Sequence, residues 1–310
     1  MDNQRCNNSS FPQDFDCCSP IKNQDNTNIV VVIIYSTVLI GGIIGCIYMM
    51  FSLYNNSSLS VTTIAIINLV VVHVLFLITV PFRIYYFVTY KWAFGVSFCK
   101  IASGAIHCHM YLAFLFYVSI LVIRYISYFK RRDKVAFYRL LHAVLASSSV
   151  WIVALICVFP LFMSQYGRHN NYKEEECFQF HQELTNEYVS VLNFFVIAVM
   201  LAVIFVLFIV QIVILARVTK QLKGAFIARQ EFWVQIKSLS FVLVMLVCFA
   251  PYHMFRIYYI MNISSCSPDL INYNEICLGI TSICCFDLLT FLAKSGDIRS
   301  FFFCKGCRSK

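Results

Sequence analysis

The sequence contains seven apolar stretches, each close to the roughly 20 residues that a membrane-crossing helix needs. In lipid a spanning segment must satisfy all of its backbone hydrogen bonds internally, so each stretch is expected to be helical. The seventh stretch is short and carries a charged residue, Asp287. The pattern predicts an all-α membrane protein, a seven-transmembrane helix bundle. The predicted spans cover residues 29–53, 61–88, 98–123, 140–163, 188–216, 239–262 and 276–293.

The composition excludes an ordinary water-soluble enzyme. Hydrophobic residues make up 60% of the 310 residues, charged residues make up 13%, and the mean hydropathy is +0.75. Soluble domains carry about 25% charged residues. The sequence contains no Gly-rich phosphate loop, no G-x-S-x-G and no H-E-x-x-H motif, so neither an enzymatic activity nor a cofactor is predicted.

Basic residues are concentrated on one side of the predicted membrane. The loops at 130–139 and 217–237 and the tail at 294–310 hold fifteen Lys and Arg against three acidic residues. The opposite loops and the N-terminal tail hold eleven acidic residues. Cytoplasmic loops are the ones enriched in Lys and Arg, and an odd number of crossings puts the chain ends on opposite sides. The net charge of +9 therefore indicates orientation and contact with anionic membrane lipids, not nucleic-acid binding.

This orientation divides the chain into an extracellular tail at 1–28, a seven-helix domain at 29–293 and a cytoplasmic tail at 294–310. Because the first 28 residues are polar, the first span is expected to direct membrane insertion itself. Three N-x-Ser sequons fall on the extracellular side and are predicted to be glycosylated. These sequons begin at Asn7, Asn8 and Asn262.

The cytoplasmic tail has two features that indicate contact with the membrane surface. Residues 297–304 combine isoleucine and phenylalanines with neighbouring basic residues, which predicts a short amphipathic helix on the inner leaflet. Cys304 and Cys307 lie in this basic, aromatic stretch and are predicted to be S-palmitoylated. A zinc site is not predicted there, since the sequence offers no second C-x-x-C pair to complete it.

Cysteines on the extracellular side lie in an oxidising compartment, where disulfides form. Cys99 opens the third span and Cys177 lies in the second outer loop, so a disulfide between them would tether that loop across the mouth of the bundle. Cys266, in the third outer loop, could pair with Cys17 or Cys18. Cysteines within the spans are interpreted as small apolar packing residues. These are Cys46, Cys108, Cys157, Cys248, Cys284 and Cys285.

Several short motifs occur in order along the predicted spans. They are Asn68-Leu69 and Pro81-Phe82-Arg83 in the second span, Trp92-Ala93-Phe94-Gly95 and Cys99-Lys100 before and at the start of the third, Arg124-Tyr125 at its end, Trp151 and Pro160 in the fourth, and Cys248-Phe249-Ala250-Pro251-Tyr252-His253 with Arg256 in the sixth. In this order they resemble the rhodopsin-like (class A) G-protein-coupled receptors of the purinergic-like branch. The runs 60–83 and 178–181 resemble one orphan receptor of that branch in particular.

The resemblance implies a plasma-membrane receptor that transmits an extracellular signal to a heterotrimeric G protein. By resemblance, Arg124 and Tyr125 form the coupling surface, and Cys99 pairs with Cys177. The sixth span would pivot near Phe249 and Pro251, because proline lacks the N–H that a continuous helix needs.

Three departures from the family pattern bear on the switch between resting and active states. The family's second-span Asp, which helps to hold a sodium ion, is His73 here, and the N-P-x-x-Y motif is replaced by residues 287–291. His73 is expected to face Asp287, either as a neutral donor or as a protonated partner that replaces sodium. The acid that precedes the coupling arginine is Ile123. Its loss would favour the active state by about 1 kcal/mol, and hence raise basal activity.

Charged side chains inside a bilayer are costly and indicate a functional site. Arg83 and Arg256 lie in the outer thirds of the second and sixth spans, where both can face a cavity open to the outside. Arginines bind carboxylate or phosphate through paired hydrogen bonds, so we expect a small acidic ligand. In the alternative interpretation, both arginines reach the interface or pair with Glu275 and loop acids. The predicted ligand-binding residues are Arg83, Tyr86, His107, His253, Arg256 and Tyr259.

His107 and His109 do not predict a metal site. Residues two apart on a helix point to opposite sides, so these imidazoles are not expected to share an ion.

Two rival functions remain open. A seven-helix decoy or scaffold that does not couple is consistent with Ile123, the missing Pro-x-x-Tyr and the absence of a proline in the fifth span. A transporter is disfavoured by the absence of internal repeats.

Overall fold

The computed structural model describes residues 25–55, 61–129, 136–158, 177–178, 184, 186–221, 230–262 and 268–287. In this part of the chain seven helices form one bundle, which confirms the predicted fold class. Helix α4 ends in a π-helical turn, α6 contains one, and α7 ends in a 3₁₀ turn. The helices are α1 Asp25–Asn55, α2 Val61–Thr89, α3 Val96–Phe129, α4 Ala136–Ile152 with Val153–Val158, α5 Glu187–Gln221, α6 Gln230–Val244 with Met245–Phe249 and Ala250–Met261, and α7 Pro268–Thr281 with Ser282–Phe286.

Five of these helices, α1, α2, α3, α5 and α6, are long and apolar enough to cross a membrane. The apolar parts of α4 and α7 are shorter, at Ala143–Ile156 and Leu270–Phe286. Helix α7 begins at Pro268, earlier than residue 276, where its apolar run begins. This first part is polar because Asn274 is buried and Glu275 half-buried among the other helices, so hydropathy alone places the start too late.

The apolar residues divide between lipid and bundle by helical spacing. On α1, Ile33, Ile40 and Ile47 repeat every seven residues and are exposed, as expected for a lipid-facing stripe. Residues on the opposite side of α1, such as Tyr35 and Val38, are buried against neighbouring helices. Lipid tails are as apolar as leucine, so close packing and hydrogen bonds hold such a bundle together more than the hydrophobic effect does.

A glycine allows α1 and α7 to approach closely. A Cβ atom added at Gly41 would overlap the ring of Phe286, which lies in the 3₁₀ turn that ends α7. Small residues at helix contacts have this role in membranes, because they let neighbouring backbones come together. The contact fixes the end of α7 against α1, next to Asp287.

Two polar contacts connect different helices of the bundle. The indole Nε1 of Trp151 on α4 donates to Oδ1 of Asn68 on α2 over 2.7 Å. On α5, Nε2 of Gln211 donates to the carbonyl oxygen of Gln235 on α6 over 3.0 Å. Hydrogen bonds between transmembrane helices contribute about 0.6 to 2 kcal/mol each, so they fix which helix faces bind one another.

Helix α6 is locally widened next to its proline. Its π-helical turn Met245–Phe249 ends just before Pro251, whose ring cannot take part in regular helical hydrogen bonding. Pro251 is exposed on the surface of the bundle, whereas Phe249 is fully buried with its ring centroid 6.2 Å from that of Tyr117 on α3. The predicted pivot region thus has the irregular backbone that a hinge needs.

We expect Trp151→Phe to lower the thermal stability of the detergent-solubilised protein, because the half-buried side-chain carbonyl of Asn68 then loses its donor on α4. Asn68→Ala should cost a similar amount, and the double variant should lose no more than the larger single loss. The coupling energy from this double-mutant cycle is expected to be about 0.6 to 1.7 kcal/mol, measured from thermal unfolding midpoints.

Trp233→Phe is the matched control, since Trp233 is exposed on α6. If the losses from Trp151→Phe and Asn68→Ala simply add, the contact between α2 and α4 does not stabilise the bundle.

Candidate functional site

The outer end of the bundle is closed by a disulfide between Cys99 at the start of α3 and Cys177 in the second outer loop. Their Cα atoms lie 5.7 Å apart and their sequence positions are separated by 78 residues. This is the disulfide that the family resemblance implies. It places the residue that follows, Phe178, directly over α2.

Phe178 adopts a left-handed backbone conformation, with φ of 67°, which is uncommon for a residue other than glycine. Its ring lies 5.9 Å from that of Phe87 and 5.1 Å from that of Tyr86, and the guanidinium carbon of Arg83 lies 4.3 Å from its centroid. With Trp92 and Phe98 these rings form an outer aromatic cluster. Tyr86, one of the predicted ligand-binding residues, belongs to this cluster.

Arg83 is buried inside the protein, with only 1% of its surface exposed. Its Nη1 donates to the Tyr35 hydroxyl and its Nη2 to the carbonyl oxygens of Ala102 and Ser103, each over 3.2 Å. Nη1 also lies 3.7 Å from Oε2 of Glu275 on α7. The arginine therefore does not reach the membrane interface. It has the acidic partner that the alternative interpretation names, and its charge is balanced within the bundle.

Arg256 is also buried, at 6% exposure, but its environment differs from that of Arg83. Its Nη1 donates to Oδ1 of Asn274 over 2.9 Å, and its guanidinium carbon lies 5.1 Å from the ring centroid of Tyr259. Within the described residues Arg256 forms no ion pair with an acidic side chain. Glu275 lies within electrostatic range of Arg256 but not within ion-pair distance. A buried cation without a directly bonded anion is costly.

His253 lies one helical turn inward of Arg256 on the same side of α6. The side chain is fully buried, and neither ring nitrogen has a hydrogen-bond partner within the described residues. Its ring stacks 6.4 Å from that of Tyr111 on α3. His107, half-buried on α3, lies within electrostatic range of Arg256, Arg83 and His253. The structure thus groups four predicted residues, Arg256, His253, Tyr259 and His107, between α3 and α6.

At the centre of the bundle, five polar or sulfur-containing side chains meet. Nε2 of His73 lies 3.3 Å from Oδ1 of Asp287, the pair that the sequence predicts to face each other. Nδ1 of His73 lies 2.8 Å from Nε2 of His109. The sulfurs of Cys285 and Cys284 lie 3.5 and 3.9 Å from the same His109 nitrogen. We call these five residues the central cluster.

Sequence reasoning did not identify three members of the central cluster. His109 was considered only together with His107, and the helical spacing that separates the two was correct. Its actual partner His73 is 36 positions away, a distance at which no local pattern applies. Cys284 and Cys285 were interpreted as apolar packing residues, because their sequence neighbourhood is apolar.

The central cluster does not fit the sodium ion of the family. Hard cations take oxygen ligands from carboxylates, carbonyls, hydroxyls and water. Here the converging atoms are two imidazole nitrogens and two sulfurs, with Asp287 as the only carboxylate among them. The donor atoms of this site are suited to a softer metal or to a hydrogen-bond network.

At the inner end of the bundle, Arg124 has a neutral partner. Its Nη1 donates to the hydroxyl of Ser238 on α6 over 3.0 Å, and its guanidinium carbon lies 5.3 Å from the ring centroid of Phe241. Tyr125 donates to the carbonyl oxygen of Leu207 on α5 over 3.4 Å. The absence of an acid at Ile123 therefore does not leave Arg124 without contacts. Sequence reasoning missed Ser238, which is 114 positions away. We call the contact between Arg124 and Ser238 the inner latch.

Several predicted sites lie outside the described residues. These are Cys18 and Cys266, the sequons at Asn7 and Asn8, the cysteines Cys304 and Cys307, and the amphipathic helix at 297–304. The third sequon, at Asn262, lies at the outer end of α6, where its side-chain amide donates to the carbonyl oxygen of Tyr258 over 2.8 Å.

Comparison with known proteins gives one consistent family. The family model described as "7 transmembrane receptor (rhodopsin family)" matches residues 45–287. The chain is 48% identical to the probable G-protein-coupled receptor 141 of Homo sapiens over 262 residues, covering 84% of this chain and 86% of that protein. This is the orphan receptor that the runs 60–83 and 178–181 resemble, so the narrower resemblance is confirmed.

Two more distant relatives are receptors as well. The chain is 27% identical to lysophosphatidic acid receptor 6 of Gallus gallus, covering 83% of this chain and 87% of that protein. It is 26% identical to the probable G-protein-coupled receptor 34 of Pan troglodytes, covering 86% of this chain and 72% of that protein. These relatives are receptors and not enzymes. With seven helices and a matching family model over most of its length, the chain belongs to the rhodopsin family of seven-transmembrane G-protein-coupled receptors, which are proteins of the plasma membrane.

Proposed function

We propose that this receptor binds a small extracellular ligand with an acidic headgroup and transmits the signal to a heterotrimeric G protein. The observation that carries the proposal is the pair Arg256 and His253. The first is a buried cation with no acidic partner within the described residues, and the second is a buried imidazole with no hydrogen-bond partner there. In the proposed orientation residues 1–28 are extracellular and 294–310 cytoplasmic, so this pair lies in the outer half of the bundle.

The chemistry of the proposed ligand follows from the donors that remain. One Nη of Arg256 donates to Asn274, which leaves other guanidinium N–H groups for a carboxylate or phosphate. His253 can supply a further donor one turn deeper. The rings of Tyr259 and Tyr111 lie beside the arginine and the histidine and can contact the apolar part of the ligand. A lipid acid has both parts, and one relative at 27% identity is named as a receptor for lysophosphatidic acid.

Arg83 has a different role in this proposal. Its two Nη atoms already donate within the protein, and Glu275 balances its charge. We assign it to holding α2 against α3 and α7, with the outer aromatic cluster above it. Tyr86 belongs to the outer aromatic cluster, which lies above the proposed ligand.

Coupling is proposed to depend on release of the inner latch. When α6 moves outward about its widened turn and Pro251, the bond between Arg124 and Ser238 breaks. Arg124 and Tyr125 then become accessible to the G protein. The hydroxyl of Ser238 is neutral, so this contact lacks the electrostatic attraction that an ion pair with an acidic neighbour would add. The resting state is therefore held weakly, which supports raised basal activity.

A non-coupling decoy or scaffold receptor is the alternative. Two departures from the family pattern favour it, Ile123 beside the coupling arginine and the replacement of the Pro-x-x-Tyr motif after Asp287. The basal signalling test below separates these two functions because it requires no ligand.

Arg256→Gln is expected to reduce the potency of an acidic agonist by at least about tenfold, which corresponds to about 1.4 kcal/mol. The reason is loss of the paired contact to the headgroup. A suitable probe set is lysophosphatidic acid with the uncharged monoacylglycerol of the same chain length, read out by G-protein dissociation in cells at matched surface expression. Lys91→Gln, an exposed cation of the first outer loop, is the control and should respond like the wild type.

The ligand proposal extends beyond this one probe. A wider panel of lipid acids and nucleotides should contain an agonist whose potency falls in Arg256→Gln and not in Lys91→Gln. If the agonist that is found is uncharged, or if its potency is the same in Arg256→Gln and the wild type, Arg256 is not part of the ligand site.

Ser238→Ala is expected to raise ligand-independent G-protein dissociation several-fold, because the resting state loses the hydroxyl partner of Arg124. Ser240→Ala is the matched control. Ser240 lies two residues further along α6, and among the described residues its hydroxyl bonds within its own helix, to the carbonyl oxygen of Ile236 over 3.1 Å.

Arg124→Ala should abolish ligand-independent G-protein dissociation, whether it is introduced into the wild type or into Ser238→Ala. Basal signalling equal to that of mock-transfected cells in the wild type and in Ser238→Ala would contradict coupling and favour the decoy.

A further inference from the structure

We infer that the central cluster is a zinc site, in which Nδ1 of His73, Nε2 of His109 and the thiolates of Cys284 and Cys285 bind one Zn²⁺. The ligand atoms of His73, His109 and Cys284 all lie within 4.8 Å of one another, and the sulfur of Cys285 lies 3.5 and 3.6 Å from the two histidine nitrogens. Imidazole and thiolate are the ligands that zinc prefers.

The distances fit a tetrahedral zinc ion. Bonds of about 2.05 Å to nitrogen and about 2.3 Å to sulfur in a tetrahedron place each nitrogen about 3.5 Å from each sulfur. Three of the four nitrogen–sulfur distances in the cluster are 3.5, 3.6 and 3.9 Å. The two nitrogens would stand about 3.3 Å apart around zinc. They now lie 2.8 Å apart, so one small movement of the imidazoles completes the geometry.

Asp287 supplies the outer partner that zinc-binding histidines usually have. A metal-bound imidazole donates its other N–H to a carboxylate or carbonyl, which fixes the ring and its tautomer. Nε2 of His73 lies 3.3 Å from Oδ1 of Asp287, on the side of the ring opposite to the nitrogen that faces His109 and Cys285. With its proton on Nε2, His73 presents a lone pair on Nδ1 to the metal.

The charges of such a complex suit the interior of a membrane. Zinc binding requires each thiol to release one proton, so two protons leave and the ion with its two thiolates is electrically neutral. A neutral complex avoids most of the cost of placing a divalent ion in a low dielectric. All four ligand residues are buried, with 2% or less of their surface exposed. A site with four protein ligands and no open position is typical of structural zinc.

The inferred zinc would connect three helices at one point. His73 belongs to α2, His109 to α3, and the two cysteines to the 3₁₀ turn that ends α7. Occupancy would hold the end of α7 against α2 and α3.

The test uses the full chain, with Cys304→Ser and Cys307→Ser introduced so that tail thiols cannot bind metal. The receptor is purified in detergent, equilibrated with zinc, freed of loosely bound ions on a chelating resin and measured by elemental mass spectrometry. About one zinc per chain is expected. Cobalt in place of zinc should give the absorption of thiolate-to-metal charge transfer, a signature that surface carboxylates and histidines alone do not produce.

Cys284→Ser and His109→Gln are each expected to lose the bound zinc and the cobalt signature. Cys277→Ser and Cys108→Ser are matched controls, because they remove a thiol from the same two helices outside the central cluster, and both should keep one zinc. Asp287→Asn should keep the site but weaken its zinc affinity by about 10- to 100-fold. Added zinc should raise the thermal unfolding temperature of the metal-free protein, whereas sodium at equal ionic strength should not.

Three results would overturn the inference. The first is a wild-type cluster that takes up no zinc and gives no thiolate signature with cobalt, which would mean a hydrogen-bond network without metal. The second is zinc that remains in Cys284→Ser, which would place the ion elsewhere. The third is stabilisation of the wild type by sodium but not by zinc. A wild-type spectrum without the thiolate signature overturns the inference even if the variants fail to fold, and His109→Gln places the ion independently of Cys284→Ser.

Discussion

The structure depends on one constraint, that an ionisable or polar side chain inside a membrane must find its partner within the protein. Arg83 does so with Glu275 and backbone carbonyls, His73 with Asp287 and His109, and the indole of Trp151 with Asn68. Each contact joins different helices. The polar residues that hydropathy treats as interruptions of the spans therefore determine which helix faces meet.

The polar contacts are arranged in three layers along the bundle. The outer layer contains Arg83, which lies beside Glu275, and the pair Arg256 and His253. Within the described residues Arg256 bonds to the neutral Asn274 and forms no ion pair, and His253 has no hydrogen-bond partner. The central layer is the central cluster, and the inner layer is the inner latch between α3 and α6. Helix α6 contributes to the outer and inner layers, and its widened turn at Met245–Phe249 lies between them. Arg256 and Ser238 both belong to α6. In the proposed mechanism a ligand that binds Arg256 therefore acts on the same helix whose Ser238 holds Arg124 in the inner latch.

The sequence predicts the helices well because hydrophobic runs of sufficient length have few other stable structures in lipid. Resemblance to the family predicts the disulfide between Cys99 and Cys177. It also predicts that His73 lies opposite Asp287, because the matching positions of the family face each other. The sequence does not predict the early start of α7, since buried Asn274 resembles a loop residue when only hydropathy is considered. The partners His109 and Ser238 were also missed. His109 is 36 positions from His73, and Ser238 is 114 positions from Arg124. Such contacts arise from packing between different helices, which no local spacing in the sequence encodes.

The assignment of the outer layer to ligand and the inner layer to the G protein depends on how the bundle is oriented in the membrane. Antibody access to epitope tags at residues 1 and 310 in intact and permeabilised cells measures this directly. The account predicts that the first tag is labelled in intact cells and the second only after permeabilisation. Labelling of the tag at residue 1 only after permeabilisation, or labelling of both tags in intact cells, would contradict it.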